Sequence, residues 1–285
     1  MSEILLCCDL DRTVLPNGYA HESPGARELF ARIVREADLT LAYVSGRNLQ
    51  LLQEAITEYD IPVPDYAIGD VGTTLYDVVD NHWQADTQWA TDIGKDWQQH
   101  DAQTLQGYLQ ELRELELQEP NRQNIHKLSY YVTLDVQEKS LITRIRHLLD
   151  QHQIKANIIY SIDEIDETGL VDILPQRASK YHAIDFLRQR LGLSKEDAVF
   201  AGDSGNDLPV LTSDIPSILV NNAQAGVKKT ARQLSDQTGL AQQLYLARGG
   251  FYGLNGNYCA GILEGLGHYH PHIRNMIASL TAAQD

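Results

Sequence analysis

Only three of the 285 residues are cysteine, two of them adjacent (Cys7 and Cys8) and the third, Cys259, far along the chain. That is no disulfide framework, so the thiols are expected to pack as small apolar side chains in a reducing, cytoplasmic compartment. Basic residues are scarce too: 23 Lys and Arg stand against 39 Asp and Glu, a formal charge of −16. Such a surface repels nucleic acid and anionic membrane, and neither is expected as a partner. Long apolar runs are missing, since a membrane helix needs about 20 consecutive apolar residues. The N-terminus lacks the basic start and apolar core of a signal peptide, because its short apolar stretch meets Asp9 at once. Internal repeats and low-complexity tracts are also absent. The length suits one large domain or two unequal ones.

What the chain does have is alternation. "EILLCCDL" reads as a strand, and "SPGARELFARIVREA" as an amphipathic helix with Ser23 as N-cap and Pro24 at its first position. "LTLAYVSG" is a second strand and "NLQLLQEAITEYD" a second helix, while "DYAIGDVGTTLYD" is a strand, a glycine turn and a short return. Further on, "KYHAIDFLRQRLGL", "NDLPVLTSD" and "AGVKKTARQLS" read as helices separated by the strands "DAVFAGDS" and "PSILVNNA". Apolar strands alternating with helices predict an α/β fold, a Rossmann-like parallel sheet covered on both faces. Ligands of such sheets sit beyond the carboxyl ends of the strands.

Between Arg47 and Lys180 lie 132 residues, several times what one strand-to-helix step requires. From about Asp86 the text turns rich in Trp, Gln and Asp ("DWQQHDAQTLQGYLQELREL", read as helix). There follow a strand "HKLSYYVTLD", a helix "EKSLITRIRHLLDQHQ", and the strands "KANIIYS" and "GLVDILP". This predicts a small α/β unit over 86–174, inserted as a cap into a catalytic core of 1–85 and 175–285, with hinges near Asp86 and Leu174-Pro175.

Polar clusters end four of the core strands: Asp9 and Asp11; Ser45, Gly46 and Arg47; Gly69 and Asp70; and "GDSGND", Gly202 to Asp207. Asp9 and Asp11 stand at alternate positions, so an extended chain would point both the same way. Like charges that close need a cation, a shared proton or hydrogen bonds. With Asp203 and Asp207 they offer four hard oxygen ligands, and Mg²⁺ prefers a few carboxylates together with waters and substrate phosphate oxygens. Lys180 heads a helix whose N-terminus favours anions, and Ser45 supplies a hydroxyl and a loop amide for a phosphate oxygen. An aspartate can attack phosphorus and split one hard step into two.

"DLDRT" (Asp9 to Thr13), "VSGR" with Ser45, Lys180 and "GDSGND" resemble, in order and spacing, the four motifs of haloacid dehalogenase-like phosphatases. Their cap-bearing sugar phosphatases carry an α/β insertion between the second and third motifs. "PDYAIGDVGTTLY", "HKLSYYV", "VDILPQRASK", "LVNNAQ" and "AGILEGLGHY" resemble the sucrose-phosphate phosphatase group, whose close relative is mannosylfructose-phosphate phosphatase.

The resemblance implies a Mg²⁺-dependent phosphomonoesterase that hydrolyses a phosphorylated disaccharide, sucrose 6-phosphate foremost, through an aspartyl-phosphate. Asp9 would be nucleophile and metal ligand. Asp11 would be proton donor and then base, with a ligand oxygen for the metal. Lys180 would neutralise charge. Asp203 and Asp207 would serve the metal, and Asp9, Thr13, Ser45, Gly46, Lys180 and Asn206 would hold the phosphate. Arg47, Lys127, Ser129, Tyr130, Gln176 and Arg177 are the candidates for sugar contact, and Asn222 for steadying the metal loop. Other sugar phosphates (mannosylfructose, glycosylglycerol, glycosylglycerate or hexose phosphates), a sugar phosphomutase, and a non-catalytic partner of the upstream sugar-phosphate synthase remain as alternatives. Arg12 departs from the family pattern, which has Gly or Asn there. It could reach the cap or the substrate, or lie along the surface. The alternating His268, His270 and His272 lack acidic or thiolate neighbours for a transition-metal site.

Overall fold

The structure, a computed structural model, describes residues 4–163 and 167–282. Its core is one eight-stranded sheet of order β12-β11-β10-β1-β2-β3-β4-β5. The strands are β1 (Ile4–Cys8), β2 (Leu39–Val44), β3 (Tyr66–Gly69), β4 (Thr74–Val79), β5 (His82–Ala85), β10 (Ala198–Gly202), β11 (Ser217–Leu219) and β12 (Leu244–Leu246). Six of them run parallel, and β4 and β5 are added antiparallel at one edge. A second, wholly antiparallel sheet has the order β6-β7-β9-β8, from β6 (Glu116–Leu117), β7 (Leu128–Val132), β8 (Ala156–Asp163) and β9 (Thr168–Pro175). The helices are α1 (Ala26–Glu36), α2 (Leu49–Tyr59), α3 (Thr87–Gly94), α4 (Ala102–Tyr108), α5 (Glu138–Gln151), α6 (Lys180–Arg190), α7 (Leu208–Leu211), α8 (Ala225–Thr238), α9 (Cys259–Tyr269) and α10 (Pro271–Ala282). None of these is long and apolar enough to cross a membrane.

The two-residue repeat of β1 builds the two faces of the core. Ile4, Leu6 and Cys8 enter one hydrophobic cluster with residues of α1, α9 and α10, and Leu5 and Cys7 enter the other with residues of α6 and α7. All three cysteines are buried and unbridged, and desolvation alone pushes the Cys7 thiol well above its usual range. The second sheet has its own cluster, in which Leu128, Tyr130 and Val132 of β7 meet Leu141, Ile145 and Leu149 of α5. The α/β expectation with a mostly parallel central sheet is met.

Two helix expectations are corrected. α1 begins at Ala26, after Gly25 at φ 72°, and not at Pro24. Ser23 does not cap it: its hydroxyl accepts the Asn255 amide instead, tying α1's entry to the C-terminal part of the core. The Trp- and Gln-rich stretch is broken rather than one helix. Asp86 caps α3, Gln98 and Gln99 turn at positive φ, and Asp101 caps the short α4. α3 packs on the core, where Trp89 and Ile93 join the cluster of β1 and β2 and the Trp89 indole donates to the Gly72 carbonyl.

Candidate active site

Parallel register brings the polar loops together. Cys8 pairs with Tyr43 of β2 and with Ala201 of β10, and the Asp9 amide donates to the Ala201 carbonyl. Asp9, Ser45 and Asp203 therefore leave adjacent strands at nearly one level. β1 ends at Cys8, and Leu10 starts a tight turn whose carbonyl accepts the amides of Thr13, Val14 and Leu15.

Because the strand stops there, the expected side-by-side pair does not form: Asp9 and Asp11 diverge. Asp9 turns inward, and its carboxylate shares one cluster with Asp203 and Asp207, all three buried, with one oxygen of each within 4.8 Å of the others. Lys180, at the start of α6, donates from Nζ to Asp9 Oδ1 and Asp207 Oδ1, both at 2.7 Å. The Thr13 hydroxyl donates to Asp9 Oδ2 at 3.3 Å. Asp11 turns away to Arg47, accepting from Nη2 at 2.7 Å and Nε at 2.9 Å, and from the Asn17 amide at 2.7 Å.

The electrostatics follow this geometry. Burial, with the charges of Asp207 and Asp203, raises the Asp9 carboxyl above its ordinary value against the pull of Lys180. Burial likewise raises Asp203 to about 6, with Asp207 adding and Arg12 opposing. Burial would depress Lys180, yet the adjacent Asp9 and Asp207 charges outweigh it and hold the ammonium charged. Burial pushes Asp11 up, but hydrogen bonds from Arg47 and Asn17 bring it below the usual carboxylate range.

Asp207 is the brace of the cluster. Its Oδ2 accepts the amides of Asp203 and Ser204 and the Ser204 hydroxyl, so all its oxygens are engaged. It lies directly under Gly202, where a Cβ would come within 2.7 Å of the Asp207 carboxyl carbon. Asp203 differs: Oδ2 meets Arg12 Nε at 3.3 Å, while Oδ1 is buried without a hydrogen-bond partner. Three carboxylates against two cations leave one formal negative charge uncompensated. An orphaned buried carboxylate oxygen within such a set fits a hard divalent cation.

Arg12 sits at φ 59°, in the left-handed region that Gly and Asn occupy most easily. This accounts for the residue types of the family pattern at that position. Its carbonyl accepts the Asn222 amide side chain, whose oxygen in turn accepts the Tyr258 amide. Arg12, Asp203, Asn222 and Tyr258 line a cleft of about 460 Å³, with the fully exposed Tyr19 at its rim. Asn206 lies outside the carboxylate cluster and accepts from Ser204 Oγ. Ser45 is buried, its amide on Ile68 and its oxygen accepting the Arg47 amide, and Gly46 follows next to Val71.

The four-stranded sheet divides its candidates. Lys127 and Ser129 share one face: Lys127 Nζ donates to Ser129 Oγ at 2.7 Å, and both engage Asp172 across β9. Tyr130 is corrected as a sugar-facing residue on that strand face. Alternation puts it on the opposite side, buried in the hydrophobic cluster. Arg177 is spent on anchoring, its guanidinium bonded to Asp96 and to the Asp92 carbonyl. Gln176 lines a separate cavity of about 180 Å³ with Arg146 and Asp150 of α5. Asn124 reaches back from this unit to the Thr73 hydroxyl of the core at 2.9 Å, and Asn48 of the core reaches the Asn121 carbonyl. Sequence reading missed Asp172, Asn17 and the Arg12–Asp203 pair. The first is a cross-strand partner visible only in the register, and the other two depend on the turn after Leu10. The C-terminal histidines make ring contacts, His268 stacking on Tyr245.

A family model described as sucrose-6F-phosphate phosphohydrolase matches residues 2–270. A protein of Nitrosococcus oceani, described as a HAD-like hydrolase with no substrate named, is 50% identical over 95% of this chain and 73% of its own length. Sucrose-phosphatase 1 of Nicotiana tabacum is 28% identical over 78% of this chain and 51% of its own. The chain thus spans about half the length of the plant relatives it matches. Among solved structures, the sucrose-phosphatase of Synechocystis sp. PCC6803, in complex with sucrose and phosphate, superposes with a TM-score of 0.70. The two are 25% identical over 94% of this chain and 98% of that one.

Proposed function

The chain belongs to the sucrose-6F-phosphate phosphohydrolase family, and from that premise we propose that it is a Mg²⁺-dependent phosphatase of phosphorylated disaccharides, sucrose 6-phosphate first. The observation that carries the reading is the buried set of Asp9, Asp203, Asp207 and Lys180 at the carboxyl edge of a parallel sheet. Asp9 and Asp203 would hold the metal, Asp203 through the oxygen that has no other partner. Bound there, Mg²⁺ would offset negative charge on the transferring phosphoryl group.

Asp9 attacks phosphorus; the new bond is an aspartyl-phosphate and the bond broken is that to the sugar oxygen, which takes a proton from Asp11. Water then attacks the aspartyl-phosphate and gives its proton to Asp11, freeing phosphate and Asp9. Ionised Asp11 is already suited to the second half. For the first half it has to leave Arg47, which removes the hydrogen bonds and the charge that depress its pKa. Lys180 screens Asp9 and the incoming phosphate, and Ser45, Gly46, Thr13 and Asn206 supply loop donors around them.

Residues 86–174 act as the cap that reads the sugar, with Lys127, Ser129 and Asp172 as its polar face. Arg177 anchors the return to the core. A sugar-phosphate synthase is the class of enzyme that must supply the substrate. The test is Mg²⁺-dependent phosphate release across phosphorylated disaccharides and monosaccharides. Sucrose 6-phosphate should be hydrolysed fastest with one phosphate per sugar; a rate no higher than that of glucose 6-phosphate removes the disaccharide assignment, and phosphate retained in a rearranged sugar makes the enzyme a mutase.

A further inference from the structure

Away from the carboxylate cluster, the acidic chain gathers positive charge in one place. Lys228, Lys229 and Arg232 of α8 and Arg248 after β12 line a cavity of about 470 Å³, walled on its apolar side by Leu246 and Ala247. A second cavity of about 360 Å³ continues from it, sharing Arg232, Leu246 and Arg248 and adding the stacked rings of Tyr245 and His268. Together they have the volume of a site for a small metabolite.

Among the described residues none of these four cations forms an ion pair, although most other arginines of the chain do. Lys228 Nζ donates only to neutral oxygens, the carbonyl and side chain of Asn221, and desolvation holds its pKa below the usual lysine value. Two acids lie near these cations among the described residues. Glu264 is buried and already accepts the Tyr245 hydroxyl and the amides of Arg248 and Gly249; Asp236 lines the second cavity.

The placement also runs against helix physics. Lys228 closes the first turn of α8 and Lys229 follows it, with no acid in the helix before Asp236. Cations at a helix N-terminus oppose the macrodipole, each at about 0.3–1 kcal/mol. In a chain of charge −16, four cations drawn around one cavity without an ion pair among the described residues are a local concentration of positive charge.

We propose that this cavity is a second anion site, built for a small soluble molecule carrying a polyphosphate or several phosphate groups, and distinct from the carboxylate cluster. The phosphates would lie between Lys228, Lys229, Arg232 and Arg248, and a ring portion would extend over Leu246 toward Tyr245 and His268.

The experiment is calorimetric titration of the whole protein, in EDTA so that metal-assisted binding at the carboxylates is absent, with pyrophosphate and with ADP as probes. Wild type is compared with the Arg232→Ala/Arg248→Ala double variant, both residues being exposed and outside the catalytic set. The expected result is binding that weakens at least tenfold in the double variant and declines with added salt, while phosphate release and melting temperature stay unchanged. Failure of wild type to bind either probe overturns the proposal, as does binding that survives in the double variant. Binding to anionic vesicles without binding to pyrophosphate or ADP overturns the small-molecule assignment.

Discussion

A single residue separates Asp9 from Asp11 in sequence, yet the two carboxylates serve different neighbourhoods, because the strand ends one residue before the first of them. Asp9 joins Lys180 and the buried set; Asp11 pairs with Arg47 on the other side of the turn. The identity of the cluster was legible in the sequence, since Asp9, Lys180, Asp203 and Asp207 all follow strand ends or begin a helix. The orientation of Asp11 and the reach of Arg12 were not, because they depend on a turn in which Arg12 takes a positive φ that no residue type there announces. Asp203 gives a pH prediction. Its folded pKa, about 6, lies above the unfolded value near 4, so between those values the folded state binds more protons and this group's contribution to stability falls as pH rises. Above about pH 6 the penalty is complete, and a bound cation would offset it. Mg²⁺ at a hundredfold excess over its Kd should therefore add about 2.7 kcal/mol, roughly 5 °C, at pH 7.5, and much less at pH 5 where protons compete. Equal shifts at the two pH values would contradict the assignment of Asp203 as a metal ligand.

At the scale of elements, the strands of the core and the long helices α2, α5, α6 and α8 read directly from apolar periodicity. The weak points were ends and breaks. Ser23 looks like a cap but is taken by Asn255, 232 residues away, and the expected helix is broken ahead of α4 by two successive left-handed glutamines. β5, β6 and β12 are short edge strands, set by pairing with neighbours and not by a pattern of their own. The strand-to-loop junction at Gly202 is the element on which the site depends most. Asp207 packs beneath it with no exposure, and its carboxylate oxygens accept from Lys180, Asp203 and Ser204. A methyl group at position 202 displaces that carboxylate. Gly202→Ala should lower stability by about 1–3 kcal/mol in urea denaturation, and phosphate release should fall with it. Unchanged stability would show that Asp207 has room to move and is no brace.

At the scale of the molecule, two hydrophobic clusters on the faces of one sheet and a third around the four-stranded sheet account for the architecture. Surplus length between Arg47 and Lys180 pointed to extra structure there, and the second sheet lies in that stretch, whereas the way α3 grips the core through Trp89 was not legible, since a tryptophan's partner lies outside any local pattern. The chain returns to the core through Pro175 to Ser179, pinned by Arg177 on Asp92 and Asp96. If closure of the cap governs sugar binding, Arg177→Ala should raise KM for the sugar phosphate roughly three- to tenfold and cost about 1–3 kcal/mol of stability, because it strips guanidinium bonds from the buried Asp96 carboxylate. A change confined to kcat would place Arg177 elsewhere in the cycle. The whole account rests on Asp9 as the group that takes the phosphoryl. Its most direct test is phosphate release from sucrose 6-phosphate with Mg²⁺ by Asp9→Asn, with folding verified by circular dichroism: the account predicts a folded protein without measurable turnover, and appreciable phosphate release by the folded variant would contradict it.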